Sequence, residues 1–414
     1  MLNSYCKNET FSKFLILFFL ATSGFPSFLK FKALIPILLP FIITKLARGN
    51  KSLSKKGLFF MWFIFFFSII HFFVGHLTFV GSISFVLYFL TILYSALFIG
   101  ENFSHIYIKV MTFLSYIAIV IWLTIFLQPS LHDFFVNMAS FLPQMMTEEW
   151  IENSTNNGVS LYLYYLPLKT STEYTTFIRN CGPFYEPGLF ASYLSIALVL
   201  NFCKNHKLFQ KNNIILIIAI LSTASSAGYI SLALIILYSI FYEENKYTKI
   251  FMIFLFILLW KPISELDFMS NKIMNNYEGS LETSSSRFGA ILYHSEKIIE
   301  SPFIGFAGGA LPTTNFDRFM DTKNLERIVS PNGLSYVFVF WGIPCAILFY
   351  IFLYKGIRKY IGIEKSKGEI FFIFIVILSS AFSQTITTEA LLLLIALSTF
   401  VSTNNKIQNN KIYE

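Results

Sequence analysis

The chain has 414 residues, 55% of them hydrophobic and 13% charged, where a soluble domain carries roughly a quarter charged. With 50 Phe and 22 Tyr to place, that composition excludes one soluble core and makes lipid the solvent for most of the chain. The net charge of +8 falls in short clusters between apolar runs, which reads as membrane topology and excludes a nucleic-acid partner.

The four cysteines, Cys6, Cys181, Cys203 and Cys345, show no CxxC or Cys/His spacing, so neither a metal site nor a disulfide framework is expected. Residues 1–13 are polar and no small-residue cleavage site follows, so the first apolar helix is expected to stay as an anchor.

Apolar runs predict twelve spans, at about 13–29, 31–46, 58–75, 78–99, 109–128, 187–203, 212–223, 227–242, 249–262, 331–354, 369–383 and 386–402. The expected fold is therefore an all-α integral membrane protein with about 12 transmembrane helices and two long periplasmic loops containing short helices. Its parts are N-terminal helices over 1–128, a first loop over 129–186, central helices over 187–262, a second loop over 263–330, and C-terminal helices with a short tail over 331–414. Between 213 and 242, the run Ser222-Thr223-Ala224-Ser225-Ser226-Ala227-Gly228 is either a tight turn or a broken helix lining a cavity.

Basic clusters at 45–56, 204–211 and 355–367 mark cytoplasmic loops, so both termini are expected inside and both long loops outside. Those loops hold Arg179, Arg287, Arg318 and Arg327, four of the six arginines in a chain whose inner loops favour Lys. A planar, always-charged fork suits phosphate or carboxylate ligands. The short inner loops lack a phosphate cradle or a paired-aspartate motif, so no nucleotide, metal or other cofactor is expected.

The first constellation is Arg179-Asn180-Cys181-Gly182-Pro183-Phe184-Tyr185-Glu186-Pro187-Gly188, at a loop-to-helix junction. The helix N-terminus there favours negative charge, either Glu186 itself or a bound anion held with Arg179. The structural alternative is that Glu186 caps the helix and pairs with Arg179 or another base. The second constellation is Ser284-Ser285-Ser286-Arg287 opening an amphipathic helix, with His294 two turns on, placed to move a proton or hydrogen-bond a sugar hydroxyl. An Arg in a first turn opposes the dipole, a penalty that an anionic ligand removes. Arg318 and Arg327 lie beside Asp317, Asp321 and Glu326, where surface ion pairing competes with ligand binding. Glu389, entering the last span, is an intramembrane carboxylate and so a functional candidate.

Taken together, Arg179…Gly182-Pro183-Phe184-Tyr185-Glu186-Pro187-Gly188, the Ser-Ser-Ala-Gly-Tyr break at 225–229, Ser286-Arg287, Pro302…Gly305 and Ser330-Pro331-Asn332-Gly333-Leu334…Gly342-Ile343 resemble the O-antigen polymerase (Wzy-type) and ligase-like family of bacterial envelopes. The resemblance covers the layout of nearly the whole chain, through short and degenerate motifs. It implies an inner-membrane glycosyltransferase that joins undecaprenyl-pyrophosphate-linked oligosaccharide units by transferring the growing chain to the non-reducing end of a new unit. Membrane lipids, a chain-length regulator and a flippase are the further candidate partners.

On this reading Arg179 and Arg287 clamp the lipid pyrophosphate, Glu186 is the base for the acceptor hydroxyl, and His294 assists. Tyr185, Arg318, Arg327 and Asn332 are candidate substrate contacts. Trp150, Tyr162, Tyr164 and Tyr165 either stack on sugars or anchor the membrane interface. The family's ligases carry a His in the segment matching Ser330-Pro331-Asn332-Gly333-Leu334, which this sequence lacks, and Gly188 follows Arg179 at a spacing unlike that of some polymerases. The rivals are a ligase, a flippase, expected to have short loops and cations in its membrane cavity, and a small-solute transporter, expected to have matching broken helices in two halves.

Overall fold

A computed structural model of the chain describes residues 2–47, 53–142, 158–167, 179–243, 245–265, 287–307, 332–361 and 366–401. The helices in chain order are α1 (Leu2–Gly24), α2 (Leu38–Ala47), α3 (Lys55–Phe73), α4 (Phe79–Ile99), α5 (Phe103–Leu127), α6 (Ser130–Ser140) and α7 (Pro187–Asn205). They continue with α8 (Lys211–Ser222), α9 (Ser226–Tyr242), α10 (Lys246–Glu265), α11 (Arg287–Glu300), α12 (Gly333–Ile361), α13 (Lys367–Ser383) and α14 (Ala390–Leu397). Among the described residues the departure from an all-helical chain is a small antiparallel hairpin, β1 (Gly158–Ser160) with β2 (Tyr165–Pro167), where the sequence had predicted only short helices.

Four helical stretches are long and apolar enough to cross a membrane: Lys55–Phe73, Phe79–Leu127, Pro187–Asn205 and Gly333–Tyr360. Shorter apolar helices occupy Lys211–Ser222, Ser226–Tyr242 and Ala390–Phe400. The second predicted span differs from an ordinary helix, because Pro26–Ile37 is wound as a 3-10 helix before α2 begins. Such windings seldom exceed a turn or so, and Pro26 and Pro36, which lack N–H donors, punctuate this one.

α7 is the centre of the bundle. Every residue from Pro187 to Cys203 is buried, with α5, α8, α9 and α13 packed around it. A helix enclosed on all sides needs no polar stripe.

The interruption at 222–228 resolves as a tight turn between α8 and α9, with Ala224 in the left-handed region at φ 46°. The long first loop returns onto this turn. Asn180 N donates to Ser222 O at 3.0 Å, Asn180 Nδ2 to Ser222 Oγ at 2.9 Å, and Arg179 Nε to Thr223 O at 3.1 Å. Two motifs 42 residues apart thus fasten each other.

A second fastening explains the break in α12. Gly342 leaves helical geometry at φ 72° and ψ 166°, and Pro344 has no N–H for the carbonyl of Phe340. Those changes strand Val339 O, Phe340 O and Ile343 N within an apolar bundle, where each unmatched group costs several kcal/mol. Residues 302–307 satisfy all three: Phe306 N donates to Val339 O at 2.9 Å, Ala307 N to Phe340 O at 2.9 Å, and Ile343 N to Pro302 O at 2.7 Å. This segment follows α11, which packs along the first half of α12, so the second loop reaches roughly 12 Å below the start of α12.

Candidate functional site

The end of the bundle that carries both long loops opens into a cavity of about 600 Å³, a volume in the range of small-molecule sites. One wall is the 3-10 segment, through Lys32, Ala33 and Pro36; another is α4, through Phe85, Tyr88 and Phe89. The break in α12 supplies Tyr336, Phe340 and Trp341 together with Ala307 of the docked segment, and Thr385, Thr388, Glu389 and Leu393 complete the lining.

Within this aromatic cavity Lys32 Nζ donates to both oxygens of Glu389 at 2.9 Å. Glu389 is the more enclosed partner, its side chain 18% exposed against 42% for Lys32. The sequence had marked Glu389 as a candidate but had missed Lys32, which lay inside the predicted span at 31–46.

Glu186 lies beside the same loop. Its Oε1 accepts from Gln384 Nε2 at 3.0 Å, five residues before Glu389. It precedes α7 at the N-cap position without a side-chain cap hydrogen bond. Among the described residues it makes no ion pair with Arg179, so neither structural alternative for Glu186 is what the geometry displays. Tyr185 is held by its backbone N–H on Gly24 O at 3.1 Å. Burial first, then the negative charges of Glu186 and Glu389, push its hydroxyl well above the usual tyrosine range, so it acts as a neutral donor.

Arg179 is half-buried and anchors the first loop through Nε; it is absent from the cavity lining. Burial pushes the neighbouring Cys181 thiol up to about 12, which removes it as a thiolate nucleophile. Tyr164 and Tyr165 are buried in the hairpin, so neither ring face is open to a sugar, while Tyr162 packs on Phe28 with ring centroids 6.2 Å apart. Trp150 lies outside the described residues.

Arg287 is the first residue of α11, its side chain outside the described set, and Arg318 and Arg327 lie outside the described residues altogether. His294 is fully buried, with Nδ1 2.7 Å from Ser335 Oγ near the start of α12. Burial lowers its pKa from 6.5 to about 4, so it is neutral at physiological pH. Asn332 is also fully buried and caps α12, its Oδ1 accepting from Leu334 N at 3.0 Å and Ser335 N at 3.2 Å. The structure therefore gathers Glu186, Tyr185, His294 and Asn332 around the start of α12 and the 384–389 loop, and keeps Arg179 on the α8–α9 turn.

One arrangement gave no sequence signal. His71 and His76, at the end of α3 and just beyond it, meet at 3.0 Å between their Nδ1 atoms, and the His76 ring packs on Phe306 of the docked segment. Among the described residues no group of three or more His, Cys, Asp or Glu could hold a metal ion.

Comparison with protein-family models, with curated proteins and with solved structures finds no match to this chain. What the fold and the cavity define is thus a helical protein with four helices long and apolar enough to cross a membrane and a charged, aromatic-walled cavity.

Proposed function

We propose that this chain is an O-antigen polymerase of the bacterial inner membrane, with the long-loop end facing the periplasm and both termini in the cytoplasm. It joins undecaprenyl-pyrophosphate-linked repeat units without metal or nucleotide. The hydroxyl at the non-reducing end of a new unit attacks the anomeric carbon of the growing chain. As that C–O bond forms, the bond to the lipid pyrophosphate breaks, the pyrophosphate leaves with the electron pair, and the hydroxyl proton passes to a carboxylate, for which Glu186 is proposed. Arg287 is proposed to offset charge developing on the leaving group.

The observation that carries this reading is the cavity itself, which joins a charged pair to aromatic walls where the two long loops meet the bundle. Aromatic faces suit sugar rings, and a fixed cation suits a phosphate. Deleting the gene in a smooth host and resolving its lipopolysaccharide by electrophoresis tests it. A core bearing a single repeat unit, restored by the wild type but not by Arg287→Ala, is the expected result; an unchanged ladder would overturn the proposal.

A second reading, a flippase for the same lipid-linked units, is favoured by Lys32, a cation facing a cavity between helices. It predicts complete loss of O-antigen rather than a single repeat unit, an outcome that a ligase would share.

A further inference from the structure

The Lys32–Glu389 pair is oddly placed for a structural bridge, since both residues line a cavity instead of lying between packed helices. Around it the wall is rich in donors. Trp341 is 6% exposed and its Nε1 meets no acceptor among the described residues. The Tyr88 hydroxyl, on another wall, is likewise buried without a partner. Both donor atoms are enclosed, with no surface open to the cavity. Among the described residues Glu389 is the sole carboxylate in the lining, beside one ammonium and the hydroxyl residues Ser84, Tyr336, Thr385 and Thr388.

An apolar slot of about 120 Å³ adjoins the cavity, sharing Phe89, Trp341 and Leu393 with it. It is lined by Phe60 and Phe63 of α3 and Phe349 of α12, with almost no polar surface. A charged chamber that shares a wall with a hydrocarbon slot suits a head and tail.

We propose that Lys32 and Glu389 form an anion-exchange site: in the empty cavity Glu389 occupies Lys32, and a phosphate or diphosphate group takes its place on binding. Glu389 is then a built-in competitor. It offsets the Lys32 charge until the anion arrives, and it lowers apparent affinity by the fraction of time the pair is closed. Only the expectation that the anion belongs to a polyprenyl lipid rests on the reading above; the exchange itself does not.

The test is equilibrium binding to the purified full-length chain in lipid nanodiscs, with farnesyl diphosphate and inorganic pyrophosphate as separate probes. Lys32→Met is expected to weaken binding of farnesyl diphosphate at least about tenfold, and Lys32→Arg to retain it within about threefold. Glu389→Gln is expected to tighten it by about fivefold, because the competitor is gone. A merely structural bridge gives the opposite sign for Glu389→Gln, so weakened or unchanged binding there overturns the exchange. Unchanged binding in Lys32→Met overturns it too. Tighter binding of farnesyl diphosphate than of pyrophosphate assigns the anion to a lipid headgroup, whereas equal affinities assign it to a free phosphate and remove the role of the slot. This binding pattern in a chain whose deletion leaves the O-antigen ladder unchanged would retain the exchange site and discard the polymerase. A single-repeat phenotype without the pattern would do the reverse.

Discussion

Gly305 and Gly342 meet backbone against backbone: a Cβ on Gly305 would lie 2.5 Å from the amide nitrogen of Gly342, and one on Gly342 2.5 Å from the carbonyl carbon of Phe303. Both have positive φ, at 64° and 72°, so a side chain at either is strained as well as crowded. Gly305→Ala and Gly342→Ala are each expected to destabilise the protein by at least about 2 kcal/mol, read as a lower melting temperature in detergent. Because both disrupt one docking, the double variant is expected to fall well short of the sum. Full additivity would show that the two glycines act separately.

Asn180 is fully buried and uses its side chain twice, donating to Ser222 Oγ and accepting from Gly182 N at 2.9 Å. Asn180→Ala leaves the buried Gly182 amide without its acceptor, while Ser222 Oγ keeps its bond to Ala219 O, a loss of about 1 to 3 kcal/mol. Limited proteolysis of the first loop is expected to accelerate in this variant, and a cleavage rate equal to wild type would refute the fastening.

His294 gives a pH dependence of definite sign. Its folded pKa of about 4 lies below the ordinary 6.5, so between those values the unfolded chain binds more protons. Stability is fully present above pH 6.5 and falls as pH drops towards 4, by about 3 kcal/mol at most. In His294→Gln this part of the decline is expected to vanish. An unfolding profile between pH 7 and 4 that matches wild type would show that His294 is not its source.

Asn332 separates two roles that the sequence left together. As the cap of α12, its replacement by Ala is expected to lower stability by about 1 kcal/mol, and Asn332→Asp or Asn332→Ser to restore most of it. If Asn332→Ser instead regains stability while O-antigen length still collapses, a substrate contact is the better account.

Helix positions were legible because apolar runs of near-span length have few other uses, and α3, α4, α7 and α12 fall where those runs lie. The Ser222–Gly228 ambiguity was not, because a turn and a cavity-lining break share one composition; the partners that decide it, Arg179 and Asn180, lie 42 to 44 residues away. Likewise, Gly342 and Pro344 announce a weak point in α12, yet nothing local says that residues 302–307 fill it. Glu389 stood out as a carboxylate in apolar surroundings, but Lys32, 357 residues earlier, becomes informative only once the two are seen 2.9 Å apart. The burial of His294 was not legible, because amphipathic spacing identifies an apolar face without saying which helix covers it.

α7 has no side turned to lipid, and it carries Ser192, Ser195 and Asn201 among its buried residues. A helix entering a bilayer alone is solvated by acyl chains, which offer these groups nothing; this one is solvated by neighbours, and α8, α9 and α13 leave the ribosome after it. Its fit to an apolar surrounding is therefore a property of the assembled chain more than of its own 19 residues. Of its main neighbours only α5 precedes it in the chain. Chains truncated soon after Asn205 would leave the centre of the protein as its least secure part.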